Sequence, residues 1–488
     1  MRPVSDHRGP EPDEDVDLFT QPIGAIRPAA DQATDEVADQ TPDQVPDQAT
    51  AKKKSEKAPN ASDKTALSDG LALSISGAIG SVAGLLSWII AARIMPQADV
   101  GYASAFVSAF LLVAGVAQLN LDAGNIIWLP KAGRKAATLF WRSHLVIVPA
   151  CIVVGLVYVT LVPELLVATE WPSWPTWVGV ALFVLAAAGW GLWGLHDYTL
   201  VAVGKPWWAP GRSGAFAIAR LGLLVVLGAS LGPLGIVLSW VIPIVVWTVG
   251  SAGVAGFFTG KFSRLHEDSW LPSRKEVVTF LTPTTIAHWG TVLLANQVTV
   301  IVIQRFGPEA GAAFFIAWQG VIVIEVAAGR FMQALSAQIA RDPRHARDHI
   351  RSSRTRLFKI FVPMCLAGIA AADLGLQIFG PTYAEAANVL RLLFIGMIPR
   401  LLIAHELGVR QAMSEGMGFA RLQLVSTLLV IAAVVFAPAA SSGGEITVQD
   451  LWPLAVGYTV AQIVCAAYIM VVARRRKFPL EDAAAPAT

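Results

Sequence analysis

The chain has 488 residues, of which 55% are hydrophobic and 15% charged, with a formal net charge of +2. A soluble chain of average composition carries about 25% charged residues. Here the charge gathers in the first 65 residues and between long apolar runs. That excludes an ordinary soluble globule and points to a polytopic membrane protein, in which net charge carries little information because charge is segregated by position.

Met1 to Lys64 is acidic and then basic, with Asp-Gln pairs at Asp31, Asp39, Asp43 and Asp47 and prolines between them. It has no apolar run from which to build a core, so disorder is expected. No apolar stretch follows a basic start, so it does not read as a secretory signal. Lys52, Lys53, Lys54, Lys57 and Lys64 precede the first helix. They read as a solvated spacer that sets orientation, with attraction to anionic lipid headgroups as the sharper alternative.

A span needs about 20 mostly apolar residues. Twelve candidates follow, at 69–92, 102–121, 143–163, 176–196, 213–231 and 234–257, then 277–303, 310–338, 357–379, 385–409, 418–437 and 451–473. Cytoplasmic loops are enriched in Lys and Arg. With the N-terminal tail inside, the inner loops carry Lys131, Arg134, Lys135, Lys205, Arg212, Lys261 and Arg264, then Arg341 to Lys359, Arg410, Arg421 and Arg474 to Lys477. The outer loops carry only Arg93 and Arg305. This alternation supports twelve spans with both termini cytoplasmic. Trp171, Trp174 and Trp177 at one outer edge, and Trp207, Trp208 and Trp270 at inner edges, read as interfacial anchors.

The two outer arginines sit in matching corners. Arg93, Pro96, Ala98 and Tyr102 recur at the same spacing as Arg305, Pro308, Ala310 and Phe314. Self-similarity at a fixed period marks a duplicated architecture. Six spans per half is an even number, so the two halves enter the membrane in the same sense. The expected fold is therefore all-α, with twelve transmembrane helices in two parallel six-helix lobes, an arrangement of alternating-access transporters with the site between lobes. The expected divisions are a cytoplasmic tail at 1–67, an N-terminal lobe at 68–260, a C-terminal lobe at 261–475 and a short tail at 476–488.

Ionisable residues at membrane depth are expensive and by default mark a substrate or ion path. Arg220, Arg330 and Arg400 are the substrate-cavity candidates, because guanidinium forks fit phosphate oxygens. His288, Glu325 and His405 are the ion- or proton-coupling candidates. For each of these residues, structural pairing is the competing explanation. Arg330 and Glu325 could pair; Glu406 with Arg410, and Arg391 with Asp373, read as ordinary ion pairs. In the first span Ser74, Gly77, Ser81 and Gly84 form one small face, suited to helix packing or to a cavity wall. Pro283 and Pro399 free carbonyls at depth, which is tolerated beside a cavity.

Cys151, Cys365 and Cys465 lie in apolar runs without metal or disulfide spacing and read as packing residues. There is no G-x-x-x-x-G-K-[ST], no metal-ligand spacing and no G-x-S-x-G. No cofactor, metal or nucleic-acid partner is expected. Catalysis is not expected either, because no outer loop is long enough to fold a catalytic domain.

The corner Ala92-Arg93-Ile-Met-Pro96-Gln-Ala-Asp-Val-Gly101-Tyr102, its counterpart Arg305–Phe314, and Phe379-Gly-Pro-Thr-Tyr383 through Leu390 resemble the multidrug/oligosaccharidyl-lipid/polysaccharide (MOP) exporter superfamily. Within it they are most similar to the polysaccharide-transporter branch of Wzx-like flippases. The resemblance spans about residues 68–475. It implies translocation of a polyprenyl-diphosphate-linked oligosaccharide from the inner to the outer leaflet of the cytoplasmic membrane, for cell-surface polysaccharide biosynthesis. The partners it implies are the lipid-linked glycan, membrane lipids, and glycan polymerase or glycosyltransferases of the same pathway. Lipid II flippases resemble the chain less, because the first helix has no mid-membrane Arg and there is no thirteenth span. An ion-coupled small-molecule antiporter of the same superfamily is the first alternative. A membrane glycosyltransferase or polymerase, and a scaffold acting through the acidic tail, are alternatives of other classes.

Overall fold

The computed structural model describes residues 61–170, 174–342, 345–438 and 447–473. The acidic tail, Lys52 to Lys57, Trp171, Arg344 and Arg474 to Lys477 lie outside the described residues. Its helices are α1 Ala61–Ile94, α2 Gln97–Ala117, α3 Leu121–Ala132, α4 Ala136–Leu161, α5 Thr176–Ala202, α6 Trp208–Leu231, α7 Pro233–Leu265 and α8 Arg274–Val292. After a π turn at Leu293–Gln297 come α9 Val298–Arg341, α10 Ala346–Ala370, α11 Ala372–Gln377, α12 Pro381–Ala384, α13 Ala387–Ala412, α14 Gly416–Phe436 and α15 Trp452–Ala473.

The chain is an all-α multi-pass membrane protein. Each predicted span corresponds to a helical leg, with two adjustments. Spans seven and eight run through α8, the π turn and α9, and are divided only at Gly307, whose φ of +81° is costly for any residue with a Cβ. Span nine is the later part of α10 continued by α11. The first part of α10 carries Arg351, Arg354, Arg356 and Lys359 and is not an apolar span.

Local signals set the helix ends. Ser273 and Glu276 close a capping box on α8: the Glu276 amide donates to Ser273 Oγ at 3.2 Å and the Ser273 amide to Glu276 Oε2 at 2.6 Å. Gly232, at φ +57°, reverses the chain between α6 and α7, and Pro233 starts α7 where a missing N–H is harmless. Several helices extend well past the predicted spans at the end of the bundle that bears the basic loops. α4 begins seven residues before 143, and α5 ends six residues after 196.

Packing within the first half recurs in the second. α1 packs on α6 as α8 packs on α14; α6 on α7 as α14 on α15. α2 packs on α5 as α9 on α13; α4 on α5 as α10 on α13; and α5 on α7 as α13 on α15. The two bundles join chiefly through α2 against α9, with α2 and α3 against α8. The apolar core is continuous across that seam, from Phe106 and Phe110 on α2 to Phe314 and Trp318 on α9.

Candidate functional site

The Arg93 and Arg305 corners lie at one end of the bundle, and there they meet each other. A Cβ placed on Gly101 would stand 2.0 Å from the Pro308 carbonyl oxygen, so only glycine permits this approach. Beside it Gln97 Nε2 donates to the Glu309 carbonyl at 2.9 Å. Trp88 packs edge-on against Phe315 at 4.7 Å. The arginines then diverge in partner. Arg305 donates to the carbonyls of Val434 and Ala437 at 2.6 and 2.8 Å, binding the end of α14 in its own bundle. Arg93 crosses to the other bundle and donates to the carbonyls of Gln377 and Ile378, both at 2.8 Å, at the end of α11. Both use the same physics: helix C-termini present unsatisfied carbonyls and partial negative charge, which a guanidinium fork can bridge.

Away from this corner end, α1 and α9 each present an exposed face. Ser74, Gly77 and Ser81 on α1 and Val323, Val326 and Arg330 on α9 are exposed. Ser74 and Ser81 return their hydroxyls to carbonyls four residues back, so this small face presents little free polarity.

The three candidate cavity arginines are not brought together. Arg220 lies inside the first bundle at 3% exposure, about 18 Å along α6 from its start. It donates to Ser87 Oγ and to the Ala83 carbonyl of α1 and stacks over the Trp240 ring at 4.1 Å. Among the described residues it has no carboxylate within ion-pair distance. Arg400 lies inside the second bundle at 1% exposure. It is ion-paired with Glu325, donating from Nε at 3.1 Å and also from Nη2, and it donates to Ser426 Oγ at 3.1 Å. Glu325 thus takes Arg400, on another helix, as its partner rather than Arg330. Arg330 alone of the three is exposed, and its Nη1 reaches Gln333 at 3.4 Å.

The coupling candidates are also dispersed. His405 is buried in the second bundle and donates from Nε2 to the Ile350 carbonyl of α10 at 3.1 Å. Glu325 is held by Arg400. His288 stands on the seam, flanked by two links from α8 to the first bundle. Thr285 Oγ1 donates to the Leu119 carbonyl at 2.8 Å, and Trp289 Nε1 to the Val116 carbonyl at 3.0 Å. Asp122 of α3 lies within electrostatic range of His288, whose Nε2 is buried without a hydrogen-bond partner. Tyr198 of α5 is within electrostatic range of Asp122, of Asp197 and of Arg330 on the other bundle. Asp122, Tyr198, His288 and Arg330 therefore form the polar set that the two bundles share.

The ion pairs Arg391–Asp373 and Arg410–Glu406 form, the latter at 2.9 Å. Among the described residues no group of three His, Cys, Asp or Glu side chains is placed to hold a metal. Sequence reasoning passed over Asp122, Asp197, Arg212, His144 and His196. All five lie at or just beyond the predicted ends of spans, where charge reads as interfacial. Yet Arg212 and Asp197 are buried and paired at 2.6 Å, with Arg212 3.8 Å over the Trp193 ring.

No family model and no curated protein matches the chain. Solved structures do. An inward-facing multidrug resistance MATE family transporter of the MOP superfamily aligns at 14% identity and TM-score 0.57, covering 86% of this chain and 100% of that one. An outward-facing one aligns at 16% identity and TM-score 0.52, covering 85% and 97%. A MOP superfamily transporter from Pyrococcus furiosus, described as having a binding pocket of reversed polarity that suggests a different function, aligns at 16% identity and TM-score 0.51, covering 85% and 97%. Such likeness shows the fold alone: the chain has the fold seen in these solved MOP-superfamily transporters.

Proposed function

We propose that the protein is an alternating-access flippase. It moves a polyprenyl-diphosphate-linked oligosaccharide across the cytoplasmic membrane for cell-surface polysaccharide biosynthesis, with its basic end and both termini cytoplasmic. The observation that carries this reading is Arg330. Among the described residues it is an exposed cation with no carboxylate at ion-pair distance, and it lies within electrostatic range of Tyr198 on the opposite bundle. An exposed guanidinium in that position favours an anionic headgroup such as a diphosphate, which it can fork. The links at the corner end favour a state closed outward and parted toward the cytoplasm, the side from which such a substrate enters. The fold also tolerates a change of pocket polarity, as the Pyrococcus furiosus relative is described to have.

The test is reconstitution in proteoliposomes with a fluorescent lipid-diphosphate oligosaccharide, scored by protection of its sugar from external lectin. Arg330→Gln should reduce translocation at least about tenfold while leaving thermal stability unchanged, because among the described residues this exposed side chain makes one weak hydrogen bond. Wild-type protein that moves cationic drugs but not the lipid-linked sugar would overturn the reading. A second reading, an ion-coupled small-molecule antiporter, draws on one specific feature, the Asp122–His288 pair on the seam. The same vesicles with an imposed pH gradient and an organic cation distinguish it.

A further inference from the structure

The first bundle holds a second polar constellation, apart from the residues named at the seam. His144 of α4 and His196 of α5 meet Nε2 to Nε2 at 2.9 Å. His144 Nδ1 lies 2.9 Å from the Phe140 carbonyl oxygen. His196 Nδ1 lies 2.7 Å from Ser251 Oγ of α7. Arg212 of α6 donates from Nη1 to that same oxygen at 3.2 Å, and is ion-paired with Asp197. His196, Asp197, Arg212 and Ser251 are all buried.

One carbonyl determines the tautomers of both rings. A carbonyl can only accept, so His144 carries its hydrogen on Nδ1 and, when neutral, offers Nε2 as acceptor. His196 must then donate from Nε2, and its Nδ1 accepts from the Ser251 hydroxyl. Now add one proton, delivered by water as hydronium. It forms an N–H bond at His196 Nδ1, which becomes a donor to Ser251 Oγ. The Ser251 hydroxyl turns to the Thr248 carbonyl, 3.3 Å away. The hydrogen between the two Nε2 atoms stays shared and can sit on either ring. The four ring nitrogens and the Ser251 hydroxyl remain bonded in both states, so charging the pair orphans none of them. A second proton would force two N–H groups to face each other across 2.9 Å.

We infer that His144 and His196 form a binding site for a single proton inside the first bundle, with the Ser251 hydroxyl as its reversible partner. The charged groups around it are Asp197 from α5 and Arg212 from α6, which are ion-paired with each other, and the guanidinium also bonds to Ser251 Oγ. α4 contributes His144 itself, and α7 contributes the hydroxyls of Ser251 and Thr248. The chain of bonds ties α4, α5, α6 and α7, so the added charge acts on four helices of one bundle and on none of the other. Its use as the coupling ion rests on the transporter reading above; proton binding itself does not.

The test is solid-state NMR of full-length, 15N-histidine-labelled protein in bilayers, with the pair identified by difference against H144N and H196N. At about pH 8 one Nδ1–H ring and one Nε2–H ring should appear, joined by a 15N–15N coupling through the hydrogen bond. Acidification to about pH 5 should convert the pair in one step with uptake of one proton. S251A, which removes the acceptor of the charged form, should move that step about one to two pH units lower. Rings that stay neutral throughout, two separate steps, or an S251A step at the wild-type pH would overturn the inference. A pair that titrates as described while vesicle translocation is indifferent to pH would keep the site and remove its coupling role.

Discussion

Gly101 of α2 faces the carbonyl oxygen of Pro308 on α9 so closely that an added Cβ would stand 2.0 Å from it. The two residues belong to the two repeated corners, and their approach closes the bundle at that end. In a transporter that alternates, this contact must break once per cycle, which makes its occupancy measurable.

Gly101→Ala should prise the corners apart. Overpacking costs about 1–3 kcal/mol, which corresponds to a roughly five- to 150-fold rise in the open population. Ala312, fully buried just beyond the corner, can report this as Ala312→Cys. The three native cysteines are buried and free, so background labelling should be low. Labelling by a membrane-impermeant thiol reagent should accelerate in the Gly101→Ala background. An unchanged rate would mean that this contact does not hold the corner end shut.

The two corner arginines should fail differently. Each loses two hydrogen bonds on substitution by Gln, and bonds from a charged donor are worth about 1.5–3 kcal/mol when buried and less when exposed. Arg305 binds within its own bundle, so Arg305→Gln should lower the melting temperature. Arg93 is exposed and spans the two bundles, so Arg93→Gln should leave melting almost unchanged and speed Ala312→Cys labelling. Equal losses of stability in both would contradict this division of labour.

Arg400 and Glu325 should behave as a structural pair. Removing one partner of a buried ion pair costs about 3–5 kcal/mol because the other charge is stranded, whereas replacing both with apolar residues can be near neutral. Arg400→Met and Glu325→Met should each destabilise strongly, and the double substitution should recover most of the loss in thermal unfolding. If the single variants melt like wild type and only translocation is lost, Arg400 acts on substrate instead.

Arg220 offers the complementary test. It reaches across to α1 with two donor groups, a geometry that a lysine ammonium on a flexible stem cannot match. Arg220→Lys should loosen α1 from α6 and expose Ser87 to hydrogen exchange, with a stability loss of about 1–3 kcal/mol. Unchanged protection at Ser87 would place the role of Arg220 elsewhere.

The twelve legs, the matched corners and the basic loops were legible because a membrane demands them locally. About 20 apolar residues must satisfy their own backbone in one helix, and the loop between two spans must lie on one side or the other. Those constraints act along the chain and leave periodic marks. Pairing acts across it. Arg400 is joined to a glutamate 75 positions away, and Arg93 to carbonyls more than 280 positions away. Nothing in the local composition distinguishes those partners from their neighbours.

The span ends show the same limit. His144, Asp197 and Arg212 fall where apolar runs give way to loops, so hydropathy alone assigned them to water. The helices continue past the apolar runs, and side packing of α4, α5, α6 and α7 removes these groups from solvent. Sequence alone thus determined that the chain is an all-α multi-pass membrane protein and which corners repeat, since each requirement is met within one helix or one loop. Tertiary structure alone decided which charges neutralise one another and which remain open between the bundles, because burial and Coulomb attraction depend on distances that chain order does not encode.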